Sequence, residues 1–189
     1  MAKLRTFIAI DLPPEVVDQS QSLVRELDDF SGGIRWVEPE NVHLTLKFLG
    51  EVRENETYQV CQAMKAAVAG IEPFEIECRG AGAFPKIERP RSLWIGVGEG
   101  AERLTQLFTA IDEAMADLGF AHDPKRFLPH ITIGRVKQPG PWLSELSSQI
   151  EARRDFDAGA ASVEEVVLYS SELTSDGPIY SPIGRSSLG

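Results

Sequence analysis

At 189 residues, with 42% hydrophobic and 25% charged residues, the chain has the composition of a globular protein long enough to bury a sizeable core. Its formal net charge of −10 excludes a broad adhesive surface for nucleic acid or anionic membrane, while leaving room for a locally basic pocket. No apolar run reaches bilayer length, the stretch from Phe7 to Ile10 is too short for a signal-peptide core, and the two cysteines, Cys61 and Cys78, have no metal-ligand or C-x-x-C spacing. A cytoplasmic protein with reduced thiols and no membrane segment is the expectation.

In chain order, Arg5 to Ile10 reads as a first strand, stopped by Pro13 and Pro14. Val16, Val17, Leu23, Val24 and Leu27 then fall at helical spacings, and Ser31, Gly32 and Gly33 predict the end of that helix. Ile34 to Val37 is a short extended piece, Glu38 to Asn41 a turn, and Val42 to Leu49 a strand closed by Gly50. A second helix is predicted from about Asn55 to Ala69, and Phe74 to Cys78 alternates as a strand with one solvated face. Gly80 to Arg91, rich in glycine, proline and cations, reads as the longest irregular loop. Ser92 to Val97 is a strand, Ala101 to Leu118 a helix, Phe127 to Val136 a strand and Trp142 to Ile150 a short helix. Val163 to Tyr169 and Ile179 to Ile183 close the chain as strands around a turn at Ser175, Asp176, Gly177 and Pro178, and the tail from Arg185 to Gly189 reads as frayed.

Two of these strands carry the same short pattern, His43-Leu44-Thr45-Leu46 and His130-Ile131-Thr132-Ile133. Alternation along a strand puts histidine and threonine on one face and the aliphatic residues on the other, so each motif offers an imidazole beside a hydroxyl on a rigid support. The histidines are 87 residues apart, and the same offset lays Phe7 to Ile10 over Trp94 to Val97. The fold class read from this is α+β: a bilobal pseudo-twofold repeat spanning residues 1–189 as one two-lobed domain. Each lobe is a small antiparallel sheet with helices on its outer face, and the two motif strands meet at a central cleft.

Imidazoles titrate near neutrality, so one can accept a proton while the other donates one. That suits a reaction in which water loses a proton and an alkoxide gains one, with threonine hydroxyls on the non-bridging oxygens of a phosphate. The pattern has no paired histidines at metal-ligand spacing, no carboxylate in the motif and no serine elbow, so neither a metal nor a covalent nucleophile is expected. His122 reads as an exposed loop residue without a role.

The segments Phe7 to Pro13, His43 to Gly50, Gly82 to Pro85 and Pro129 to Arg135, in that order, resemble the two-histidine phosphoesterases. Within them the chain is most similar to the bacterial and archaeal RNA 2′,3′-cyclic phosphodiesterases, also called 2′-5′ RNA ligases. The resemblance implies hydrolysis of a 2′,3′-cyclic phosphate at an RNA 3′ end to a 2′-phosphate, without metal or nucleotide cofactor, and related 2′-5′ joining. By that analogy His43 protonates the departing 3′ oxygen, His130 activates water, and Thr45 and Thr132 hold the phosphate, although the pseudo-symmetry allows either assignment of acid and base. The family often carries an arginine after the second motif, matched here by Arg135. Strict alternation turns Arg135 away from His130, so either a bulge or twist brings it to the substrate or it is structural. Phe48 has the same parity and is expected in the core.

Arg35, Lys47 and Arg53 flank the first motif, Lys125, Arg126, Arg135 and Lys137 the second, and Lys86, Arg89 and Arg91 lie between. They point to a positive cleft for the end of an RNA strand. Two alternatives stay open: another small cyclic phosphate as substrate, such as a cyclic nucleotide, and a module that binds nucleotides or RNA ends without chemistry. No obligate protein partner is indicated.

Overall fold

The computed structural model describes residues 2–27, 33–175 and 177–189. The elements are β1 (Lys3–Asp11), α1 (Pro14–Leu27), β2 (Ile34–Trp36), β3 (His43–Arg53), α2 (Thr57–Val68), β4 (Phe74–Lys86), β5 (Arg89–Val97), α3 (Ala101–Asp117), β6 (His130–Val136), α4 (Leu143–Glu151), β7 (Asp157–Val163), β8 (Glu165–Leu173) and β9 (Pro178–Ser187). All nine strands join one antiparallel sheet in the order β7-β4-β5-β6-β3-β1-β8-β9, with β2 added on β6. Its two halves, β7-β4-β5-β6 and β3-β1-β8-β9, are stitched by the Leu44↔Ile131 pair between β3 and β6. This is the antiparallel, two-lobed α+β arrangement expected from the repeat.

The helices form for ordinary reasons and then cross between the lobes. α1 begins on Pro14, whose missing N–H costs nothing at a first turn, and buries Val16, Ser20, Leu23, Val24 and Leu27 along one stripe. It leaves β1 but packs against β6 and β7 of the other half-sheet, while α3 leaves β5 and packs against β3 and α2. α2 also meets β9, and α4 lies on β4 and β5. One hydrophobic cluster therefore runs through both halves, containing Leu44, Leu46, Ile131 and Ile133 from the motif strands. Among the described residues, no helix is long and apolar enough to cross a membrane.

Several sequence expectations change. The stretch from Gly80 to Arg91 is not a loop: β4 continues to Lys86, turns at Ile87 and Glu88, and pairs back as β5. Gly80, at φ 87°, and Pro85, preceded by a cis peptide, sit where the ladder register shifts, while Gly82 is paired regularly with Trp94, so residues that usually break strands are here carried within one. The longest irregular connection is instead that between α3 and β6. Gly50 does not end β3 but lies inside it at φ 75°, where the ladder to β1 slips. β7, with the sequence Asp-Ala-Gly-Ala-Ala-Ser-Val, has too little β-propensity to be legible, and pairing with β4 and packing under α1 impose it. The C-terminus is not frayed: Arg185 to Ser187 complete β9 and Leu188 is 6% exposed. The predicted stop at Ser31 and Gly32, and Asp176 of the last turn, lie outside the described residues.

Lys47 is the one charged residue of the motif strands that is drawn into the core. A bulge at Leu46 in the β1–β3 ladder turns it away from His43, and its ammonium donates to Asp112 of α3 and, at 2.9 Å, to the Ala121 carbonyl. Lys47 is 3% exposed, and Asp112 also accepts from His122 Nδ1 at 2.6 Å and from the Asp123 amide at 3.2 Å. His122 is thus exposed, as expected, but it has a partner. Cys61 and Cys78 are free thiols, and burial pushes the Cys78 thiol up to about 11.

Candidate active site

Each motif histidine is held by the same device. His43 Nδ1–H donates to the Asn41 carbonyl at 2.7 Å, and His130 Nδ1–H donates to the Leu128 carbonyl at 2.7 Å. A carbonyl only accepts, so both neutral imidazoles carry their proton on Nδ1 and present an Nε2 lone pair. His43 Nε2 accepts from the Thr45 hydroxyl at 2.8 Å. The aliphatic residues at the alternate positions, Leu44, Leu46, Ile131 and Ile133, are buried in the core and fix the strands beneath.

Aromatic rings wall the histidines. Phe7 stacks on His43 with centroids 4.9 Å apart, Tyr180 meets both rings edge-on, and Tyr169 stacks on the other side of Phe7 at 5.4 Å. In the second lobe Phe84 meets His130 edge-on at 4.9 Å, with Trp94 behind. Burial lowers the pKa of both imidazoles, and the Arg135 charge pushes the same way in both. The backbone carbonyls oppose it in both, and for His43 alone so does the carboxylate of Asp11. Both rings are therefore neutral at pH 7 until an anion arrives, and either can then take a proton.

Asp11 marks a break in the pseudo-symmetry. It is paired with His43 across the β1–β3 ladder, whereas Gly96 is paired with His130 across β5–β6. Its carboxylate accepts from Tyr169 Oη at 2.5 Å and Arg185 Nη1 at 3.1 Å, and Arg185 also binds Glu165. The ladders also correct the overlay of the first strands. Thr45 pairs with Ala9 and Thr132 with Trp94, so these strands correspond at an offset of 85 residues rather than 87. A slip of two keeps every side chain on its face.

Both motif strands bulge at the residue directly after the threonine, Leu46 in β3 and Ile133 in β6. The side-chain alternation therefore reverses, and this settles both parity questions. Arg135 comes onto the histidine face, where its charge acts on His43, His130 and Tyr180. Phe48 comes onto the same face and is 69% exposed, its ring 6.0 Å from Phe7. It is not a core residue. The cations divide accordingly: Lys47 is buried with Asp112 and Arg53 is tied to Glu56, while Arg35 stands directly opposite Arg135 in the β2–β6 ladder. Lys86, Arg89 and Arg91 belong to the β4–β5 hairpin, and Lys125, Arg126 and Lys137 flank β6.

A family model of LigT-like phosphoesterases matches the chain twice, at residues 10–94 and 95–180. The chain belongs to the LigT-like phosphoesterases. The two matches begin 85 residues apart, the offset that the strand ladders give. This LigT-like phosphoesterase is 38% identical to the RNA 2′,3′-cyclic phosphodiesterase of Methanothermobacter thermautotrophicus, over 94% of this chain and 95% of the relative. It is 39% identical to the one of Thermotoga maritima, over 94% and 91%. Among solved structures, Escherichia coli LigT in complex with 3′-AMP superposes with a TM-score of 0.78 at 27% identity, covering 99% of each chain.

Sequence reasoning had no means of finding the Asn41 and Leu128 carbonyls, because a main-chain clamp has no side-chain signature. Tyr169, Tyr180 and Arg185 were equally hidden, since the lobe they complete is formed by strands that return from the far end of the chain. Asp11 stands in one of the segments that carry the family resemblance, and its pairing with His43 emerges only from the register.

Proposed function

We propose that this protein hydrolyses the 2′,3′-cyclic phosphate at the 3′ end of RNA to a 2′-phosphate. The observation that carries the reading is the duplicated clamp, which leaves Nε2 of each histidine as the atom for proton transfer. Relatives across most of the chain length bear the name of that activity.

In the proposed reaction, His130 Nε2 takes a proton from water, whose oxygen attacks phosphorus. His43 enters protonated, favoured by the incoming phosphate and by Asp11, and delivers its Nε2 proton to O3′ as the P–O3′ bond breaks. The reaction leaves His130 protonated and His43 neutral, and exchange with solvent resets the pair. Thr45, Thr132 and Arg135 hold the non-bridging oxygens as negative charge builds on them. No step calls on a metal or a nucleotide cofactor, and turnover is expected to persist in EDTA.

Each proton transfer is worth roughly 10²–10⁴-fold. His43→Ala and His130→Ala are expected to lose at least about 10²-fold in kcat on an RNA oligomer ending in a 2′,3′-cyclic phosphate, with the circular dichroism spectrum and oligomer binding retained. Full activity in either variant would overturn the reading, and unfolding of both would make the histidines structural.

A further inference from the structure

Arg35 and Arg135 are directly opposed in the β2–β6 ladder, so their side chains leave the same face at neighbouring positions. Two guanidinium groups placed this way repel each other in the free protein, and an anion between them removes the repulsion. Arg35 is exposed and has no hydrogen-bond or ion-pair partner among the described residues. Its guanidinium lies at the tip of the β8–β9 hairpin, where a Cβ on Gly177 would sit 3.6 Å from Nη2. That tip borders the site, because the neighbouring Pro178 carbonyl accepts from Asn41 Nδ2 at 3.0 Å and the Asn41 carbonyl holds His43.

The two arginines differ in one respect. The charge of Arg135 reaches both histidines, whereas Arg35 does not figure in the surroundings of either. Arg135 therefore belongs with the reacting phosphate, and Arg35 lies further out along the same face.

Resting on the function proposed above, we propose that Arg35 is a second phosphate subsite, which holds the phosphodiester on the 5′ side of the terminal nucleoside. This makes an RNA end a better substrate than a free nucleoside cyclic phosphate. A nucleoside 2′,3′-cyclic phosphate without a 5′ phosphate has no group for Arg35 to hold. An oligomer has one, and charge-assisted contact with it lowers KM without touching the chemical step.

The test compares Arg35→Gln and Arg35→Lys with the wild type on two substrates, an RNA oligomer ending in a 2′,3′-cyclic phosphate and adenosine 2′,3′-cyclic phosphate. For Arg35→Gln the expected result is a rise in KM of about tenfold on the oligomer, with kcat unchanged and with both constants unchanged on the mononucleoside. Arg35→Lys is expected to restore most of the oligomer KM. The salt dependence of oligomer binding should flatten in Arg35→Gln by about 0.7 in the log–log slope, the contribution of one single-strand phosphate contact. An equal loss on both substrates, or no loss on either, overturns the subsite. If the wild type turns over neither substrate, the proposed function falls, and the subsite is still decided by binding of an oligomer ending in a 2′-phosphate. Weaker binding by Arg35→Gln supports it, and unchanged binding overturns it.

Discussion

An imidazole whose Nδ1 proton is committed to a backbone carbonyl has one working nitrogen, and here that is true of both histidines. What distinguishes them is charge. Asp11, held by Tyr169 and Arg185, favours the protonated form of His43, while Arg135 disfavours it in both rings and no carboxylate is paired with His130. If His43 is the donor, Asp11→Asn lowers the fraction of His43 that is protonated. kcat/KM is then expected to fall on the alkaline side of the pH profile, by about three- to tenfold, and to stay unchanged on the acid side, where His43 is protonated in any case. A gain on the acid side would instead make His43 the acceptor. The paired histidines and threonines were legible because strand alternation holds through them. Arg135 and Phe48 were not, since a bulge that reverses alternation leaves no mark in the composition of Leu46 or Ile133. Phe48 is 69% exposed, so Phe48→Ala is expected to change stability by no more than about 0.5 kcal/mol in urea unfolding, where a core phenylalanine costs about 3–5 kcal/mol.

At the scale of elements, the site depends on what lies behind the motif strands. The bulge that exposes Phe48 also buries Lys47 against Asp112 of α3, tying β3 to the helix that follows β5. Burial pushes the Asp112 carboxyl up, and hydrogen bonds from Lys47, His122 and the Asp123 amide outweigh this and leave it below the ordinary value. A lowered carboxyl contributes stability that is present above about pH 4 and lost as pH falls through its folded value, so this cluster is one source of acid destabilisation. Lys47→Ala leaves Asp112 with too few partners in a nearly dry position and is expected to cost about 3–5 kcal/mol, read from the midpoint and slope of denaturant unfolding. Most helices and the two motif strands could be read from apolar periodicity. The β4–β5 hairpin and β7 could not, because glycine, proline and alanine there obey pairing with neighbours distant in sequence. The tail was misread for a similar reason: its polar residues alternate with Ser186 and Leu188, which are buried. Leu188→Ala is expected to destabilise by about 2–5 kcal/mol, whereas a frayed end would show no change.

For the molecule as a whole, two half-sheets joined at Leu44↔Ile131 would be a weak junction without the crossing of α1 and α3 onto the opposite lobes. The crossing makes one core of the two halves and sets the two clamped histidines in a fixed relation. The repeat itself was visible in the paired motifs, with the first strands overlaid two residues out of register, but the interleaving was not, because β8 and β9 complete the first half-sheet from the end of the chain. The net charge of −10 and the few cations left on the histidine face favour capture of a strand end over a long tract of RNA. The most direct measurement is phosphorus NMR on an RNA oligomer ending in a 2′,3′-cyclic phosphate, incubated with the protein in EDTA. A 2′-phosphate product, absent with His43→Ala and with His130→Ala, is the predicted result. A 3′-phosphate product, or turnover that survives either substitution, would contradict the account.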